Sequence, residues 1–128
     1  MSDHEAFGTR IRDLRKARQL DQRTLADHVL AGLTGVGGRG FDVSYLSKIE
    51  NGRVGPPSIP VIVQLAKVLE VDEDELIGLA GKVPSELGKT LRVSEGARMF
   101  FRSARDFNLS EQEWRELAEE LRRRREKQ

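Results

Sequence analysis

Apolar positions recur along this chain mostly at intervals of three and four, the spacing that lines one face of an α-helix. Phe7, Ile11 and Leu14 set the first stripe, with Ser2 or Asp3 available as a cap, and predict a helix to about Arg18. Asp21 caps a second helix, whose Leu25, Ala26, Val29, Leu30 and Leu33 form one apolar stripe. "TGVGGRGFD", Thr34 to Asp42, is too rich in glycine to continue a helix cheaply. Asp42 then caps a short third helix to Asn51, with Gly52 as its stop. After the rigid connector "RVGPPS" comes a fourth helix over roughly Ile59–Leu69. It is expected to be buried through Ile62, Leu65, Ala66 and Leu69, with Pro60 tolerated in its first turn. Asp72 opens a fifth helix, Glu75 stands where a capping box would place it, and Gly81 closes the run.

Beyond Gly81 the pattern loosens. Pro84-Ser85 can start a short helix to about Leu91, and Ser94 can cap another carrying Ala97, Phe100, Phe101 and Ala104 on one side. Ser110 and Glu113 in "SEQE" make a capping box ahead of Trp114, Leu117, Ala118 and Leu121 at i, i+3, i+4 and i+7. The expectation is an all-α chain: a five-helix domain over residues 1–81 and a helical appendage over 82–128.

Composition narrows what such a chain can do. No apolar run approaches the roughly 18 residues a membrane helix needs, and the opening residues lack a signal-peptide pattern, so a cytoplasmic protein is expected. There is no cysteine, and His4 and His28 alone cannot build a metal site, so no metal or cofactor is expected. The glycine run lacks the Lys-Ser/Thr of a phosphate-binding loop, and no cluster of carboxylates points to catalysis; an enzyme is not expected. Net charge is only +1. Its distribution is uneven: residues 54–81 carry one lysine against five acids, whereas 82–128 carry twelve cations against nine acids. A chain of this kind meets nucleic acid only through a local basic face.

The third helix supplies such a face. Leu46 and Ile49 fall on its inner side and Tyr45 at the shoulder, leaving Val43, Ser44, Ser47 and Lys48 outward. Small exposed side chains let a backbone approach base edges. Serine donates or accepts, valine meets a thymine methyl, and lysine reaches guanine or phosphate. Taken alone, two serines and a lysine on a short helix are ordinary solvated surface. Glu50 fits a structural partner, to an arginine of helix 1, better than a base reader.

The neighbours change that weighting. "LRKARQLDQRTLAD", "VSYLSKIENGR" and "PPSIPVIVQLAKVLEVDEDELIGLAG", in this order across residues 7–81, resemble the lambda-repressor-like, xenobiotic-response-element family of helix-turn-helix transcription regulators. The resemblance implies a five-helix domain binding double-stranded DNA, with the helix at 43–51 in the major groove. It places Gln22, with Arg23 beside it, and Asn51 and Arg53 at positions that hold the DNA backbone. The chain departs from the family between helices 2 and 3, where the connection is about ten residues longer than the usual three- or four-residue turn. Arg39 on that insertion either touches a phosphate or sits on a plain surface loop.

Regulators of this kind gain affinity by binding an inverted-repeat operator as dimers. Phe100, Phe101, Phe107, Trp114, Leu117 and Leu121 are the expected dimerisation residues, being more apolar area than three short helices bury alone; packing on the first domain is the alternative. "RRRREK" reads as a solvated helix end before it reads as a DNA arm. The join "LAGKVPSELGK" is similar to that of a subset of bacterial and phage regulators, some of them cut by a partner zinc metallopeptidase. Two function classes follow. One is a dimeric repressor; the other is an antitoxin-type interaction protein whose C-terminal helices bind a partner protein.

Overall fold

The computed structural model describes residues 3–33 and 40–127. Among them are eight helices and no strand, and none of the helices is long and apolar enough to cross a membrane. The chain divides into two compact units, residues 1–84 and 85–128.

The first unit holds α1 (Asp3–Ala17), α2 (Gln22–Gly32), α3 (Val43–Glu50), α4 (Ile59–Leu69) and α5 (Glu73–Leu79). α3 packs on α1 and α2, α4 on α2 and α5, and α5 also meets α1. Phe7, Ile11, Leu25, Leu46, Ile62, Leu65 and Leu76 are fully buried and form one core. Each helix start is written in the sequence. Asp21 accepts from the Thr24 N–H at 2.7 Å, Asp42 from the Tyr45 N–H at 2.8 Å, and Ser58 precedes a helix with proline in its first turn.

Two expectations need correction here. Leu30 is 44% exposed, so the α2 stripe is Leu25, Ala26, Val29 and Leu33 without it. Glu75 forms no capping box: Asp72 accepts from Asp74 N–H, and the Glu75 carboxylate reaches across to Arg10 of α1 at 2.9 Å. α1 begins at Asp3 itself, while Ser2 lies outside the described residues.

One glycine fixes how α1 and α3 meet. A Cβ built on Gly8 would fall 2.1 Å from the carbonyl oxygen of Ile49 and 3.0 Å from that of Glu50. The α1 backbone therefore lies directly on the end of α3, closer than any side chain permits.

The second unit holds α6 (Ser85–Val93), α7 (Glu95–Phe107) and α8 (Glu111–Glu126). Ser94 caps α7 through the Ala97 N–H at 3.0 Å. Arg98 donates to the Leu91 and Arg92 carbonyls at 2.7 and 3.0 Å, closing the end of α6. Ser110 and Glu113 form both halves of a capping box on α8. Phe100 and Phe101 of α7 meet edge to face, with ring centroids 5.4 Å apart. Phe100 lines a groove of about 450 Å³ with Trp114, Leu117, Ala118 and Leu121. Phe101 lies instead in a concavity of about 540 Å³ with Leu91, Arg92, Arg98, Arg102 and Arg105.

Candidate nucleic-acid interface

α3 is eight residues long, about 12 Å at ~1.5 Å per residue, which matches a major groove about 12 Å wide. Its inner face is sealed: Leu46, Ile49 and Glu50 are buried. Ser44 and Lys48 are exposed, and Val43 and Ser47 are half-buried beside them. The outer face is accordingly slim, with one cation near its end.

The end of the helix is tightly made. Gly52 takes φ +71°, its N–H bonds to the Ile49 carbonyl at 3.1 Å, and the Arg53 N–H bonds back to the Lys48 carbonyl at 2.9 Å. This six-to-one closure requires a left-handed residue, which glycine supplies without a Cβ penalty. It sets Arg53 immediately past the helix end, where its side chain is exposed. Among the described residues, Lys48 and Arg53 have no ion-pair partner.

Behind the helix lies a charged cluster. The Glu50 carboxylate receives Arg15 Nε at 2.7 Å and Arg15 Nη2 at 2.9 Å, and Gln22 Nε2 at 3.0 Å. Arg15 also donates to the Leu20 carbonyl at 2.8 Å. Among the described residues no buried side-chain polar atom lacks a hydrogen-bond partner. The hydrogen bond to Glu50 raises the Arg15 pKa further above its ordinary value, against the opposing effect of burial. A buried carboxylate at the base of α3 is thereby neutralised by α1 and tied to the start of α2.

Arg12 extends the cluster outward. Its Nη2 donates to the Glu50 carbonyl at 3.1 Å and to the Asn51 side-chain oxygen, and Asn51 Nδ2 lies 3.4 Å from Ser47 Oγ. With its oxygen held by Arg12, the amide of Asn51 presents its N–H side along the exposed flank of α3.

The sequence-predicted residues therefore fall into three places. Val43, Ser44, Ser47, Lys48, Asn51 and Arg53 share α3 and its end. Gln22 and Arg23 open α2, with the Gln22 side chain anchored on Glu50 and Arg23 exposed. Arg39 lies outside the described residues. The start of α2 already carries an anion: the Asp21 carboxylate, held below its usual range by the Thr24 N–H, occupies one of the helix-start donors. That end offers side chains more than free backbone N–H groups. Sequence reasoning missed Arg12 as the brace on Asn51, and Phe41. The latter is 2% exposed and packs edge-on against Tyr45 with ring centroids 5.6 Å apart. Its signal was positional: it is an apolar residue just before a helix cap, where such residues commonly pack on the helix's first turns, and it shares the core with Leu46.

Comparison with known proteins gives the family. The model of a helix-turn-helix domain family matches residues 6–77, more than half of the chain. The chain is 34% identical over 90 residues to an uncharacterized HTH-type transcriptional regulator, RghRB, of Bacillus subtilis (strain 168). That match covers 70% of this chain and 58% of the relative, so the chain spans well under two thirds of its length. No solved structure matches. The chain belongs to the helix-turn-helix family of transcriptional regulators.

Proposed function

We propose that the protein is a sequence-specific DNA-binding transcriptional regulator, acting in the cytoplasm as a dimeric repressor on an inverted-repeat operator. The observation that carries this is the outer face of α3: Ser44 and Lys48 exposed, Val43 and Ser47 half-buried, on a helix braced from behind by Arg15, Glu50 and Gln22. In this reading α3 enters the major groove and Ser44, Ser47 and Val43 meet base edges, while Lys48 reaches guanine or phosphate. Asn51 and Arg53 hold the backbone on one flank and Gln22 and Arg23 on the other. Two copies joined through 82–128 would offer two such helices to two half-sites. A dimer seated on an operator excludes polymerase without any further domain.

Selection of bound sites from random DNA tests it. The expected product is an inverted repeat with half-site centres one helical turn, ~34 Å, apart. Ser44→Ala with Lys48→Ala should abolish that preference; unchanged affinity and selectivity would refute the assignment.

A second reading has its own observation. Arg92, Arg98, Arg102 and Arg105 surround Leu91 and Phe101 in one concavity, chemistry suited to an acidic segment of a partner protein. Under that reading the second unit binds a partner, as an antitoxin does, and the first unit autoregulates. Co-purification of a second protein with the intact chain, lost on Arg102→Glu, separates the two.

A further inference from the structure

α8 is only partly covered by α7, whose Phe100 lines one groove with its apolar face. None of its residues is buried, and Trp114, Leu117 and Leu121 are 41%, 40% and 63% exposed. Isolated helices of about fifteen residues are marginal in water, and most helices owe their stability to packing an apolar face. The capping box and the ion pairs Glu111–Arg115 and Glu120–Arg124 help, but such surface pairs contribute only about 0.2–0.5 kcal/mol each. A face carrying a tryptophan and two leucines calls for an occupant.

The charges say which occupant. From Glu111 to Glu120 the helix carries Glu111, Glu113, Glu116, Glu119 and Glu120 against Arg115 alone. From Arg122 to Lys127 it carries Arg122 to Arg125 and Lys127 against Glu126. The helix dipole favours acid in the first turn and base in the last, but no further in. Glu116 and Glu119 lie mid-helix, and four consecutive arginines repel one another. Among the described residues neither Glu113 nor Arg122, which flank the apolar stripe, has an ion-pair partner.

We propose that the apolar face of α8 packs against the α8 of a second copy, antiparallel, about a two-fold axis near Leu117–Ala118. This rests on the dimer proposed above and adds which helix makes it and in which direction. A two-fold contact sets each residue against its counterpart twice. Here Trp114 meets the other copy's Leu121 at both ends, and Glu111 and Glu113, which flank the apolar stripe, lie along the other copy's Arg122 and Arg124. A parallel pair would set acid on acid and the two arginine runs side by side, in a region where several like charges add. Phe100, which lines the same groove as the α8 stripe, gives each incoming helix an aromatic wall.

The chain has no cysteine, so introduced thiols report cleanly. Glu111→Cys and Arg125→Cys lie ~21 Å apart along one helix at ~1.5 Å per residue. Full-length chains bearing one substitution each, mixed and joined with a short bis-maleimide, should crosslink to each other, and neither should crosslink to itself. Self-crosslinking of either variant would overturn the antiparallel arrangement. So would crosslinking of Glu111→Cys to Arg102→Cys, which would seat the acidic half in the arginine concavity of α7. In both cases the dimer itself stands. Sedimentation as a monomer at micromolar concentration, with and without operator, would remove the dimer and this arrangement together. Charge reversal gives a second readout. Arg122→Glu, which acts twice across the two-fold, should weaken the dimer about tenfold or more, and adding Glu111→Arg, which faces it from the other copy, should restore it. Failure of that restoration, with helix content unchanged by circular dichroism, would also count against the arrangement.

Discussion

Arg15 grips Glu50 at two points, Nε on Oε2 at 2.7 Å and Nη2 on Oε1 at 2.9 Å, and so ties α1 to the last turn of α3. Glu50 is 2% exposed and Arg15 8%. Removing Glu50 strands Arg15, and removing Arg15 leaves the buried carboxylate only Arg12, whose Nε lies 3.7 Å away, and Gln22; breaking a buried pair in this way costs about 3–5 kcal/mol. Glu50→Ala and Arg15→Ala should each lower the urea midpoint by that measure. The double change Arg15→Met with Glu50→Leu should regain most of the loss, because the pair's own net worth is small. The double variant is then the informative one for DNA: folded, but with Gln22 released from Glu50. Its affinity for the selected operator should fall although its stability has returned.

Gly8 predicts opposite signs at two glycines. Its added Cβ would meet the Ile49 carbonyl oxygen at 2.1 Å, and backbone cannot move aside as a side chain can. Overpacking of this sort costs about 1–3 kcal/mol, which outweighs the roughly 1 kcal/mol that alanine gains over glycine in a helix. At Gly78, in α5, nothing lies within 4 Å. Thermal scans should show Gly8→Ala melting lower than the parent and Gly78→Ala melting higher.

The periodicity of apolar residues located α4 at Ile59–Leu69, with Pro60 in its first turn, and the starts of α2, α3, α7 and α8, because each of those four is announced by a capping side chain next to an apolar stripe. What periodicity could not give was partner choice. Glu50 falls on the inner face of α3, four residues past Leu46, so it needed a cation. Yet Arg10, Arg12 and Arg15 all sit on α1, and only packing assigns Arg10 to Glu75 and Arg15 to Glu50. The same limit hid Arg12, whose role is to a side-chain oxygen on another helix.

Asp21 sets a pH dependence whose sign can be worked out. Its pKa is lowered chiefly by the hydrogen bond from the Thr24 backbone N–H. The folded state therefore favours the ionised form. The resulting stabilisation is complete above the unfolded value, about 3.9, and disappears as pH falls through the lower folded value. Asp21→Asn keeps a capping oxygen and removes the titration, so the acid limb of its stability curve should be shallower below about pH 4. The same variant removes an anion beside Gln22 and Arg23. At low salt it should bind operator more tightly than the parent, a gain that fades as salt is raised.

Arg53 and Ser44 should fail in different ways if the proposed docking holds. Arg53 is fixed past the end of α3 by the Gly52 turn and the 2.9 Å bond from its N–H to Lys48, with its guanidinium exposed and no ion-pair partner among the described residues. A cation so placed acts on phosphate, which carries no sequence information. Arg53→Ala should weaken binding to every sequence alike and lower the slope of log affinity against log salt by about 0.9. Ser44→Ala removes no charge. It should leave that slope unchanged and relax preference at one base pair of each half-site, by about 1–3 kcal/mol. Titrations of both variants against the selected operator and a scrambled duplex, at three salt concentrations, separate the two effects. If Arg53→Ala changed base preference while Ser44→Ala changed only the salt slope, α3 would have to enter the groove by its other end.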